Sequence, residues 1–197
     1  MSGEIRNALR PALVALLGLT LVTGIAYPLA VTGAAQVLMP ERANGSLIEE
    51  GGHVIGSQLI GQQFAQSRYF HPRPSAAGKD GYDAGASAGS NLSPGSKDLH
   101  DAIESRIADL RAQGLTGPVP PDLVTTSASG LDPDISPEAA FFQISRVAKA
   151  RGLDPQLLHG LVERQIAGPL LGFVGERRVN VLELNRQVDR MSLSPPR

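Results

Sequence analysis

From Pro11 to Met39 the chain carries no charged residue, a run of roughly 29 positions. About 20 apolar residues suffice to cross the hydrocarbon of a bilayer, and a helix satisfies its own backbone there, so a transmembrane helix is expected. A cleaved signal peptide is the rival reading, because Arg6 and Arg10 form a basic flank ahead of the run. Signal cores span about 7–15 residues, and this run is about twice as long, which favours a retained anchor. Arg6 and Arg10 precede the span, while only Arg42 follows closely, beside Glu41, Glu49 and Glu50. Basic residues mark the inner side, so the N-terminus is expected to be cytoplasmic. The organisation that follows is a cytoplasmic leader at 1–10, a membrane helix at 11–39, one extracytoplasmic domain at 40–191 and a frayed tail at 192–197. The expected location is the cell inner membrane, crossed once, with the soluble domain periplasmic or extracellular.

Within the span, Ala26, Ala30 and Ala34 recur every fourth residue beside Gly33. Small residues on one face let a second helix approach closely, although they are also common in bilayer helices generally. Pro28 lies mid-span, cannot donate to the carbonyl of Gly24, and is expected to kink the helix. Ala26, Pro28, Ala30 and Ala34 are therefore candidate partner contacts.

The remainder suits one domain of about 150 residues. Ser46–Ile48 and His53–Leu59 flank Gly51-Gly52 as the arms of a β-hairpin. Residues 72–95 are rich in Gly, Ser, Ala and Pro, which predicts a long loop, either functional or disordered. Leu99, Ile103, Ile107 and Leu110 recur at helical spacing, giving a helix over 98–112 with Gly114 beyond its end. Ser136, Pro137 and Glu138 open a second helix that carries Phe142, Val147 and Ala148 inward and stops at Gly152. Asp154-Pro155 opens a third through Leu157, Leu158, Leu161 and Val162, and Asn180 caps a fourth carrying Val181, Leu184 and Val188. The fold class is α+β, with helices dominating the second half and docked on a small sheet.

Composition removes several function classes. A formal net charge of -1 gives no basic stripe for nucleic acid. Taking Glu4 from the 19 acids, and Arg6 and Arg10 from the 18 bases, leaves the outer part near -2, too little for a strong cation funnel. With no cysteine there is no disulfide, thiolate metal site or thiol nucleophile. His53, His71, His100 and His159 show no metal-ligand spacing, and no G-x-S-x-G, S-x-x-K or G-x-x-x-x-G-K-[ST] pattern occurs. Neither catalytic residues nor a cofactor of the chain's own are expected.

The densest polar feature is Thr125–Ser136. Its Ser129, Gly130, Asp132 and Asp134 read either as a docking or oxygen-lined cation site, or as turn and capping groups bonded to their own backbone. The alternating ligands and distal Glu of an EF-hand are missing, which favours the capping reading over ion binding. Ser87–Pro94, with Ser90 and Asn91, is the second candidate contact loop. Two rival functions remain from these residues alone: a stalked extracytoplasmic hydrolase, and a membrane-anchored solute-binding module.

Six blocks change that balance: GSQLIGQQF (56–64), YFHPRPSA (69–76), SAGSNLSP (87–94), VTTSASGLDPDIS (124–136), QISRVAKARGL (143–153) and RVNVLELNRQVD (178–189). In this order, behind one N-terminal membrane helix, they resemble the KdpC family over essentially the whole chain. Ser93 departs from the Gly usual there, which bears only on the freedom of that loop's backbone. The resemblance implies a potassium-transporting P-type ATPase complex with a potassium-binding channel-like subunit, a P-type ATPase subunit and a small single-helix subunit as partners. It further implies a non-catalytic accessory role, described as a catalytic chaperone that raises the pump's ATP affinity, even by direct nucleotide contact. ATP and potassium would be handled by the partners. With the domain outside and ATP inside, the expected route is indirect, through the channel-like subunit.

Overall fold

The computed structural model describes residues 2–169 and 172–193. The chain divides into two compact units, at 1–47 and 48–197.

In the first unit, an apolar sequence with no turn signal forms one long helical segment. It comprises α1 (Ser2–Leu21), a π turn (Val22–Ala26) and α2 (Tyr27–Leu38), followed by the single turn α3 (Pro40–Ala43). The helix starts well before Pro11, so residues 2–10 of the predicted leader are helical too, and Pro11 sits inside α1. The stretch Gly3–Leu38 is long and apolar enough to cross a membrane. Its 36 residues would reach about 54 Å at 1.5 Å per residue, beyond the roughly 30 Å of hydrocarbon. Leu16, Leu17, Leu19 and Val22 stand exposed along it, so its own unit does not cover this surface. At Pro28, where the sequence position predicts a kink, the preceding turn widens, and the N–H of Tyr27 bonds the carbonyl of Val22 five residues back. Such π turns absorb a local defect in the hydrogen-bond ladder. Beyond the helix, the Gln36 and Asn44 amides bond each other, at 3.1 and 3.3 Å, and Asn44 Nδ2 also bonds the Pro40 carbonyl.

In the second unit, β1 (Leu47–Glu50) and β2 (His53–Ser57) form the expected two-stranded ribbon around Gly51-Gly52, both of which have positive φ. Helix α4 (Lys97–Ala112) begins at Ser96, whose hydroxyl accepts from the Leu99 N–H. A 3-10 turn (Pro121–Leu123) leads to β3 (Asp134–Ile135), α5 (Pro137–Arg151), α6 (Pro155–Gln165), β4 (Val179–Asn180) and α7 (Val181–Leu193). The predicted caps are present. Ser136 accepts from Ala139, Asp154 from Gln156 and Asn180 from Glu183, while Gly152 closes α5 in the left-handed region.

Two expectations need correction. The small sheet is in fact two separate ribbons, β1–β2 and antiparallel β3–β4, so the helices pack mainly on each other. The predicted tail begins too early: Ser192 and Leu193 continue α7, and 194–197 lie outside the described residues. The core gathers Val147 and Ala148 of α5, Leu158 and Val162 of α6, and Val181, Leu184 and Val188 of α7, all nearly inaccessible. Each large apolar side chain buried there is worth about 1.5–3 kcal/mol. Leu157 instead points to solvent, and Phe142 is only half-buried.

Candidate functional site

The two polar loops singled out in the sequence meet in the second unit. Residues 72–95 contain no helix or strand, yet they are held at defined points against 125–132. The Ser75 hydroxyl donates to the Gly130 carbonyl at 2.6 Å while accepting from the N–H groups of Ala77 and Tyr82. Ser87 Oγ donates to the Ser129 carbonyl at 2.9 Å, and Arg73 reaches the Thr126 carbonyl at 3.2 Å and Asp132 at 3.4 Å. Gly130 is the point of closest approach. At φ +66°, a Cβ there would lie 2.5 Å from the Ala88 carbonyl oxygen and 2.8 Å from the Ala77 nitrogen. Only glycine suits that conformation and that gap.

The candidate residues fall into distinct roles within this junction. Asp132 Oδ1 accepts from the Asp134 N–H, and Ser129 Oγ from the Leu131 N–H, so both close turns of their own backbone as the capping reading expects. Asp134 is half-buried, ion-paired to Arg178 at 3.0 Å and hydrogen-bonded by Asn180. Burial pushes its carboxyl pKa up despite those partners. Ser129 and Asn91 are exposed, Ser90 and Asp132 half-buried, and Gly130 buried. Asn91 holds φ +52°, a left-handed conformation. Ala26, Pro28, Ala30 and Ala34 belong to the other unit, where all four are exposed. Among the described residues no group of three or more His, Asp or Glu side chains is placed to hold a metal.

Sequence reasoning missed a second constellation behind the loops. The extended pair Phe70-His71 is gripped by two amide side chains as if by neighbouring strands. Asn185 of α7 accepts from the Phe70 N–H at 2.8 Å and donates to its carbonyl at 2.9 Å. Gln143 of α5 does the same for His71, at 2.8 and 3.0 Å. Both amides are almost fully buried, at 1% exposure. The signal was present: Gln143 lies four residues from Ala139 and Val147, and Asn185 four from Val181, so each is a polar residue in an apolar register.

Arg146 lies beside this clamp, donating to the carbonyls of Ser67 and Tyr69 and to Gln143 Oε1. Burial lowers its pKa to about 10, which still leaves it charged near neutrality. The His71 pKa is lowered too, first by burial and then by the Arg146 charge, with the Gln66 carbonyl opposing. A further cation pair brackets Tyr69: Arg68 and Arg151 lie 5.2 and 5.0 Å from its ring centroid and share Asp189. These groups are occupied in holding the loop down, which suits a docking scaffold.

The KdpC family profile, described as the K+-transporting ATPase c chain, matches residues 9–190. A potassium-transporting ATPase KdpC subunit of Rhodopseudomonas palustris strain TIE-1 is 54% identical over 191 residues, covering 91% of this chain and 95% of its own length. Similar proteins of the same name occur in Methylorubrum populi, at 53% identity over 93% of this chain and 97% of that one, and in Variovorax paradoxus, at 54% over 93% and 96%.

Proposed function

The chain belongs to the KdpC family of K+-transporting ATPase c chains, and from that premise we propose that it is a non-catalytic accessory subunit of an ATP-driven potassium uptake complex. It steadies the assembly and acts as a catalytic chaperone, modulating the ATP affinity of the P-type pump subunit through the potassium-binding channel-like subunit. ATP and potassium are handled by those partners, and a small single-helix subunit completes the complex. The observation that carries this reading is the 36-residue apolar helix Gly3–Leu38, whose exposed Leu, Val and Ile side chains need lipid and partner helices to cover them. Arg6 and Arg10 orient the N-terminus inward, so the second unit faces away from ATP and its influence is a coupling free energy across the assembly. The small face of Ala26, Ala30 and Ala34 and the widened turn before Pro28 are the contacts within the membrane. Ser90, Asn91, Ser129, Asp132 and Asp134 form the contact surface outside it, and the buried Gly130, the remaining candidate, holds together the two loops that carry them.

The test is the potassium dependence of ATPase activity in the whole complex, with the second unit either deleted or tethered to the channel-like subunit. A coupling of about 1–3 kcal/mol corresponds to a shift of roughly 5- to 150-fold in half-saturation. Unchanged half-saturation in an intact complex overturns the reading.

A further inference from the structure

Between the end of α6 and the start of β4 the chain makes a loop whose base is closed by Ala167 and Arg178, through two antiparallel backbone hydrogen bonds of 2.8 and 3.0 Å. From Gly168 to Gly175 its sequence offers no polar side chain. The Gly172 N–H bonds the Pro169 carbonyl at 3.1 Å. Gly172 and Gly175 hold φ +83° and +94°, so left-handed glycines bracket the pair Phe173-Val174. Every residue from 172 to 178 is exposed, Phe173 at 78%. The other four phenylalanines lie in the core or pack against it. A single apolar residue on a surface is ordinary, but an aromatic and an aliphatic side chain presented together, with no polar neighbour over 168–175 to shield them, mark a contact with something apolar.

Two observations select a lipid surface as the occupant. The first is reach. Only residues 39–47 separate the end of α2 at Leu38 from the second unit, which begins at Ile48, a tether of at most about 36 Å. With Gly3–Leu38 in a bilayer, the headgroup layer is therefore always within range of that unit. The second is charge. Arg178 is taken by Asp134 at 3.0 Å, whereas Arg177, three residues beyond Val174, has no ion-pair partner among the described residues. An apolar tip beside a free cation suits an interface in which the tip reaches the acyl boundary and the cation meets lipid phosphates. We propose that the 168–177 loop is a second membrane contact of this chain, with Phe173 and Val174 inserted at the headgroup boundary and Arg177 on an anionic headgroup. One shallow insertion binds weakly by itself, and the helix supplies the other half of a two-point attachment that restricts how the second unit can turn on its tether.

The chain has no tryptophan, so Phe173→Trp makes a single fluorescent reporter in the full chain, with Val174→Trp as a second. Each is reconstituted in vesicles of phosphatidylcholine with phosphatidylglycerol, and Leu157→Trp, exposed at the opposite end of α6, is the reference. The expected result at 173 and 174 is blue-shifted emission, quenching by lipids brominated on their acyl chains and protection from aqueous iodide, none of which is shared by the reference. Adding Arg177→Gln should weaken the inserted state about fivefold in these vesicles, the equivalent of about 1 kcal/mol per basic residue, and leave it unchanged in pure phosphatidylcholine. Equal iodide access at 173 and 157, or equal bromolipid quenching at both, overturns the proposal. So does shielding at 173 that appears only when the other subunits are assembled and without bromolipid quenching, because the occupant is then a protein. The contact requires only that the helix be in a bilayer, so its failure would leave the accessory role standing.

Discussion

Asn185 and Gln143 each spend a whole carboxamide on two backbone groups of Phe70 or His71, and neither end of either amide is left to water. Replacing Asn185 with Leu keeps the volume but strands the Phe70 N–H and carbonyl in a buried site. Each unsatisfied group costs about 1–3 kcal/mol, so a loss of roughly 2–6 kcal/mol is expected, read as a lower urea midpoint for the full chain in micelles. His71 adds a pH dependence. Its folded-state pKa lies below the ordinary 6.5, so the unfolded chain binds the proton more readily and stability falls as pH drops below about 6.5 toward the folded value. His71→Gln should flatten that slope between about pH 7.5 and 5.5. Comparison with the unsubstituted chain cancels Asp134, whose raised pKa acts in the opposite sense. At this scale the sequence was half legible. Ser136, Asp154 and Asn180 act locally, so their capping roles could be read from their neighbours. The partners of Asn185 and Gln143 lie 115 and 72 residues away, where no local pattern reaches.

Among the elements, α4 to α7 and the first hairpin followed from periodicity and punctuation, because each buries one face at a fixed repeat. The loops did not. Residues 72–95 show no period, and their order comes from docking on 125–132 through Ser75, Ser87, Arg73 and Gly130. The helix start at Ser2 and the π turn before Pro28 were likewise hidden, since charged residues are compatible with a helix and a proline signal does not say how the backbone will accommodate it. The loop junction makes a sharp prediction at Gly130. Alanine there must hold φ +66° and displace the Ala88 carbonyl, a strain of at least about 1–3 kcal/mol. The expected result is faster limited proteolysis within 72–95, with α5 to α7 still protected. Cleavage at the original rate would mean that the junction does not hold the loop. If the same surface docks on a partner, Gly130→Ala should also lower co-purification of the channel-like subunit.

For the whole molecule, the decisive quantity is which side of the bilayer holds the second unit. The positive-inside asymmetry rests on Arg6 and Arg10 against a single Arg42 beside three glutamates, a small difference that two or three charges could reverse. Protease added to intact spheroplasts should therefore remove the second unit and leave a protected fragment containing Gly3–Leu38. Moving the balance by substituting Arg6 and Arg10 with Gln and adding lysines after Met39 should protect the second unit, if the rule alone sets orientation. A chain that is protected in spheroplasts without any substitution would place the second unit on the nucleotide side. Modulation of ATP affinity by direct contact would then become the simpler account, and a route through the channel-like subunit would lose its physical basis.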